Sequence, residues 1–187
     1  MTTSIGRFVA ALLAVCSLGA WSAPRALLAD GSRIEFSVKQ MGVAVSGQFR
    51  RFDAKIDLIA DDVSASSATV TVDISSLSTG DADADAIALD APWLNGDAFP
   101  QARFTSSAVR RTGDNTFEAR GTLEIRGKAR EVTVPFETAT QNDGSTRITG
   151  GFTLRRSDFG IGGGEWNEGD LVADEVPVRF TLRLAAP

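Results

Sequence analysis

The strongest hint of chemistry in this chain is "DADADA", where Asp81, Asp83 and Asp85 alternate. That spacing opens a calcium loop, which also needs Gly at its sixth position and Glu at its twelfth. Counted from Asp81, those positions hold Ala86 and Pro92, so the loop chemistry fails twice. The aspartates are expected instead in the first turn of a helix, where carboxylates favour the positive end of the dipole. Other reactive groups are sparse. The chain has no histidine, so it has neither an imidazole base nor an imidazole metal ligand. Cys16 is its one cysteine. No serine sits in a nucleophile-elbow sequence. "GIGGGEW", Gly160 to Trp166, lacks the last glycine of a dinucleotide loop because Glu165 stands there, and it is read as a flexible connection. No catalytic residue, metal ligand or cofactor is assigned.

The elements around these residues alternate with period two. Ile34, Phe36 and Val38 alternate with charged and polar neighbours, and Val43, Val45 and Phe49 continue the pattern. Phe52, Ile56 and Leu58 follow with changed parity, which predicts a bulge or bend at Arg50-Arg51. Val70, Val72 and Ile74 share a face. So do Val132, Val134 and Phe136, and later Val176, Val178, Phe180, Leu182 and Leu184. With strands around Phe104, Phe117 to Ile125, and Ile148 to Leu154, this makes about eight strands. "RTGDN" and "QNDGS" read as hairpin loops and "IRGKA" as a tight turn. One apolar and one charged face per strand predicts an all-β antiparallel barrel or sandwich. Alternation stops between Leu77 and Pro100, where Ala86, Leu89, Trp93 and Leu94 recur at helical spacing, with Ser78 or Thr79 as the cap.

Residues 1–23 read as an export signal. Arg7 precedes an apolar run, Phe8 to Val15, too short to span a bilayer, and small residues offer cleavage after Ala20 or Ala23. Val15 is too large for a lipoprotein box before Cys16. Cleavage would leave residues 24–187 as one cysteine-free domain held by its core, with a periplasmic location expected. The formal charge of −5 and the separated pairs Arg50-Arg51, Arg110-Arg111 and Arg155-Arg156 argue against a nucleic-acid partner. An outer-membrane barrel would want aromatic girdles rich in Tyr and Trp, and the chain has no tyrosine and three tryptophans. An apolar barrel interior is either solid core or a ligand tunnel, and composition does not choose between them.

Longer strings carry more. "IEFSVKQMGVAVSGQFRRFDAKI", "SLSTGDADAD", "FPQARFTS", "GTLEIRGKAREVTVPF", "FTLRRSDFGIGGGEW" and "VADEVPVRF" resemble, in order and spacing, the YceI-like family from about Gly31 to Leu184. The resemblance implies an extended, eight-stranded, lipocalin-like antiparallel barrel with a short helical segment. It further implies a periplasmic or secreted carrier of a long-chain lipid or isoprenoid, such as a polyisoprenoid, an isoprenoid quinone or a fatty amide, and no enzyme. Many members carry His where this chain has Gln40, and Gln can hydrogen-bond a head group but cannot titrate.

On that resemblance the inward-facing, ligand-lining candidates are Phe36, Val38, Met41, Val45, Phe49, Val72, Ile74, Phe104, Leu123, Ile125, Phe136, Phe152 and Phe180. Leu89, Trp93, Leu94, Phe159 and Trp166 would line the mouth. Gln40 and Arg156 are the candidates for a polar head group, with Arg156 also readable as a surface or strand-end charge. The partners expected are a long apolar molecule and, transiently, a membrane. The competing reading is a filled barrel that works through its outer surface as an interaction or stress protein.

Overall fold

The computed structural model describes residues 25–59, 62–163 and 171–186. The export-signal reading and Trp166 lie outside them. Among the described residues ten strands form one antiparallel sheet: β1 (Leu27–Gln40), β2 (Val43–Phe49), β3 (Phe52–Asp57), β4 (Ser67–Asp73), β5 (Leu77–Ser78), β6 (Gln101–Arg111), β7 (Thr116–Ile125), β8 (Lys128–Thr140), β9 (Thr146–Arg155) and β10 (Glu175–Leu184). The helix α1 (Ala82–Leu89) lies between β5 and β6.

The order β3-β4-β6-β7-β8-β9-β10-β1-β2-β5 curls round on itself. β2 runs into β3 through the bend at Arg50-Arg51, and β4 runs into β5 through the 3-10 turn Ile74–Ser76. These bends face each other. Phe49 pairs with Leu77 on one side and Phe52 with Val72 on the other. The backbone bonds Arg50 N–H to Ser76 O (3.1 Å) and Asp73 N–H to Arg51 O (3.0 Å) bridge the gap. Counting each kinked pair as one path leaves eight, the number read from alternation. A bridge between Arg25 and Ile56 brings Arg25, the first described residue, against β3.

The parity change between Phe49 and Phe52 is therefore real: a bend, not a slip, keeps both rings on the inner face. The outer face is ionic. Arg110 pairs with Glu118 and Arg120 with Glu131, each at 2.5 Å. A lipid-facing barrel band would be apolar there.

Tight turns do the reversing. Met41-Gly42 and Arg126-Gly127 each carry two consecutive positive φ angles, the type I′ geometry that matches strand twist. The helix is shorter than the helical spacing suggests. It ends at Leu89, and Trp93 and Leu94 lie in the turns that follow, because Pro92 disfavours helical backbone at the residue before it. Its N-cap is Asp81, not Ser78 or Thr79: the Asp81 carboxylate accepts from the N–H groups of Asp83 (2.9 Å) and Ala84 (3.2 Å). Thr79 instead donates its N–H (2.6 Å) and hydroxyl (2.7 Å) to Asp85. Those bonds, the backbone one first, hold the Asp85 carboxyl below its ordinary range.

Strand connectivity gives the barrel two unlike ends. The β1–β2 turn, α1 and its loop, the β7–β8 turn and the described parts of the β9–β10 connection gather at one. The start of β1, the end of β10 and the β3–β4, β6–β7 and β8–β9 loops gather at the other. At the second end Ala54, Ile56, Ile148, Leu182 and Leu184 form a buried plug, of which Ile56, Ile148 and Leu182 also floor the cavity above it.

Candidate functional site

Between these ends the barrel interior is open. Its apolar cavity measures about 420 Å³, within the range of pockets that hold small ligands. The wall runs from Gln40, Ile87 and Trp93 at the α1 end down to Leu58 and Ser66 at the other. Along β9 it extends from Ile148 to Leu154, about 20 Å of strand. Phe36, Phe49, Phe104, Phe136, Phe152 and Phe180 all face this space and are all only half-buried. In a close-packed core such rings would be fully covered; here their residual surface faces the lumen. Gln40 and Ile87 are exposed as well as lining, which places the mouth at the α1 end.

Phe36, Val38, Val45, Phe49, Val72, Ile74, Trp93, Leu94, Phe104, Leu123, Ile125, Phe136, Phe152 and Phe180 line the cavity, as does Gln40. Four expectations need correction. Met41 is 70% exposed, because it sits in the β1–β2 turn, where the chain reverses and the strand's in-and-out alternation ends. Leu89 is half-buried against the cluster of Ile74, Leu123 and Phe159 and does not line the cavity. Phe159 is 1% exposed, because the 3-10 turn Arg156–Phe159 folds beneath the wall. It lies beside the part of β8 that has no β9 partner: the β8–β9 ladder stops at Phe136 and Gly150.

Arg156 is the fourth correction. It lines the cavity yet is 3% exposed, so it is no surface charge. Its guanidinium donates to the carbonyls of Ile161 (2.9 Å), Gly162 (2.8 Å), Val172 (2.9 Å) and Ala173 (3.2 Å). It also lies 5.8 Å from the centre of the Trp93 ring. A planar fork of five donors suits this task, which a lysine could not perform. Arg126, read from sequence only as part of a tight turn, does similar work: it donates to Ala91 O at 2.6 Å and to Gly160 O. Gly162 N–H completes the lacing by donating to Pro92 O at 2.9 Å.

Alternation could also have placed Ile34, Val134, Ile148, Val176, Val178 and Leu182 on the wall, since each shares parity with a residue named from sequence. Thr79, Ala84 and Ala88 carry no such signal; α1 brings them to the mouth.

A family model described as the YceI-like domain matches residues 26–184. The chain belongs to the YceI-like family. A UPF0312 protein of Pseudomonas putida strain W619 is similar at 29% identity over 138 residues, covering 70% of this chain and 71% of that protein. Among solved structures, BcnA of Burkholderia cenocepacia matches with a TM-score of 0.82 and 34% identity, over 85% of this chain and 99% of BcnA. A polyisoprenoid binding domain of Saccharophagus degradans matches with a TM-score of 0.70 at 16% identity, over 89% of this chain and all of that domain (100%). The second likeness is one of fold. For this YceI-like chain it agrees with the curled antiparallel barrel that the family resemblance implied, where alternation had left barrel or sandwich open.

Proposed function

We propose that this protein is a non-catalytic carrier that holds one long apolar molecule, an isoprenoid or similar lipid, inside the barrel. The observation that carries this reading is the open lumen walled by half-buried phenylalanines. Membership of the YceI-like family and the fold shared with a polyisoprenoid binding domain support it. Burial of each methylene contributes about 0.8 kcal/mol, so shape and apolar area suffice to retain such a chain without a charged anchor. The buried Arg156 is committed to carbonyls, which leaves Gln40 at the mouth as the residue to meet a polar head group.

The exposed apolar residues Met41, Val43, Ile87 and Leu171 stand on the α1 end, where Met41 N–H bonds Leu171 O at 2.9 Å. They suit brief contact with a bilayer during loading, and the export signal read in residues 1–23 would bring the protein to the periplasm. The test is native mass spectrometry and organic extraction of protein gently purified from a periplasmic fraction. A bound long-chain lipid on a chain beginning near Trp21 or Pro24 is expected. A ligand-free barrel that also takes up no added polyisoprenoid would overturn the carrier reading in favour of a filled-barrel interaction protein.

A further inference from the structure

The inner wall carries glycines where a barrel of this kind could carry side chains. Three of them lie beneath phenylalanine rings. A Cβ at Gly47 would stand 2.8 Å from Phe36 Cε1 and closer still to its Cζ. At Gly121 it would stand 2.9 Å from Phe104 Cε2, and at Gly150 2.6 Å from Phe180 Cζ. Each ring therefore lies against the wall in space that only glycine leaves vacant, the cross-strand pairing by which an aromatic covers a strand glycine.

Gly47 differs from the other two. At Gly121 and Gly150 an added methyl would also meet backbone, the Thr105 and Pro135 carbonyls, so a substitution there would disturb the sheet itself. At Gly47 the three nearest atoms it would meet all belong to the Phe36 side chain. The two residues are direct partners across β1 and β2. An inward ring pushed off its wall moves into the lumen, towards Phe49, whose ring centre is 5.6 Å away. Phe36 lies two inward positions below Gln40, about 13 Å of strand from the mouth.

We infer that Gly47 is a specificity-determining residue. By letting Phe36 lie flat on β2 it keeps the bore open past mid-barrel, so the ligand class is a chain long enough to run beyond the Phe36–Phe49 level rather than a short molecule held at the mouth. This inference rests on the carrier reading. Gly47→Ala should close the lower half of the cavity and leave the upper half usable.

The test is fluorescence titration with dansylated geranyl amine as the short probe and dansylated geranylgeranyl amine as the long one. Melting temperatures check each variant. Wild type should bind both. Gly47→Ala should bind the long probe at least about tenfold more weakly while holding the short probe unchanged. Adding Phe36→Leu to Gly47→Ala should restore the long probe, because the ring the methyl displaced is gone. Should Gly47→Ala melt early, Phe36→Trp puts bulk at the same level without a methyl at position 47 and should produce the same selective loss. Equal affinity of these variants and wild type for the long probe overturns the inference, as does a parallel loss of both probes. Wild type that binds neither probe overturns the carrier reading instead.

Discussion

The two ends of this barrel are held by different physics. The closed end is an apolar plug in which Leu184 has 0% exposure and Leu182 3%. The mouth end has long connections and a half-exposed lumen, and it is laced by arginine-to-carbonyl hydrogen bonds centred on Arg156 and Arg126. A plug of packed side chains excludes both water and ligand. Loops tied through their backbones can instead be firm at the rim while leaving the centre vacant. The contrast teaches that a barrel can be stable and hollow when the order at its mouth comes from polar bonds around the perimeter.

Breaking the lacing should have the largest effect. Arg156→Met removes the donors and leaves buried carbonyls of Ile161, Gly162 and Val172 without their partner. A loss of about 3–5 kcal/mol is expected by denaturant unfolding, since each stranded buried acceptor costs about 1–3 kcal/mol and the loops relax in part. Ligand affinity should fall with it, because Trp93 and Val172 on the wall lose their support. Arg156→Lys should recover little. If either variant unfolds like wild type, the mouth is not held by this guanidinium.

Leu184→Ala attacks the other end. Truncating a fully buried leucine costs about 2–5 kcal/mol through lost transfer energy and the cavity left behind. The comparison is sharpened by what should not change: after correction for folded fraction, ligand affinity should stay close to wild type. A large affinity loss in the folded fraction would show that the plug shapes the site.

The smallest effect concerns pH at the closed end. Bonds from the Ser145 hydroxyl and N–H, and from Arg183, push the Asp143 carboxyl down from 3.8 to about 2. A carboxylate depressed on folding contributes stability above its unfolded value, and that contribution is lost as pH falls through its folded value. Between pH 3.8 and about 2, wild type should therefore lose stability that Asp143→Asn does not lose. The group is exposed and screened, so the difference is slight and should shrink further in salt. Thermal melts across this window that superimpose for the two proteins would remove Asp143 from the account.

The wall of the cavity was largely legible in the sequence because the pleat obeys a strict period. Once Phe36, Val72 and Phe180 are inward, their neighbours two residues away are too. The bend at Arg50-Arg51 was legible for the same reason, as a change of parity. What alternation cannot encode is whether the inward side chains meet in the middle, since a solid core and a hollow one use the same residues. Loop residues defeated it altogether. Met41 breaks the parity of Phe36 and Val38, shares that of Val43 and Val45, and falls in a turn, and Phe159 reads as a mouth aromatic yet folds under the wall. Arg156 has the sequence of a strand-end charge, and only the convergence of two loop segments, Ile161-Gly162 and Val172-Ala173, on its guanidinium buries it. The carboxylates of "DADADA" were partly legible: their place at a helix start was, and the identity of the cap was not.

The central claim is that the interior is vacant space for a chain rather than packed core, and Val72→Trp tests it most directly. Val72 is half-buried on the cavity wall, facing the lumen from β4 between its ladder partners Phe52 of β3 and Ala102 of β6. In a vacant lumen the indole takes up ligand volume. The expected result is a melting temperature near that of wild type, measured without ligand, together with loss of extractable or added long-chain lipid. In a filled core the same residue overpacks, at a cost of typically about 1–3 kcal/mol. A variant that melts well below wild type, alongside a wild type that neither carries nor accepts lipid, would contradict the account.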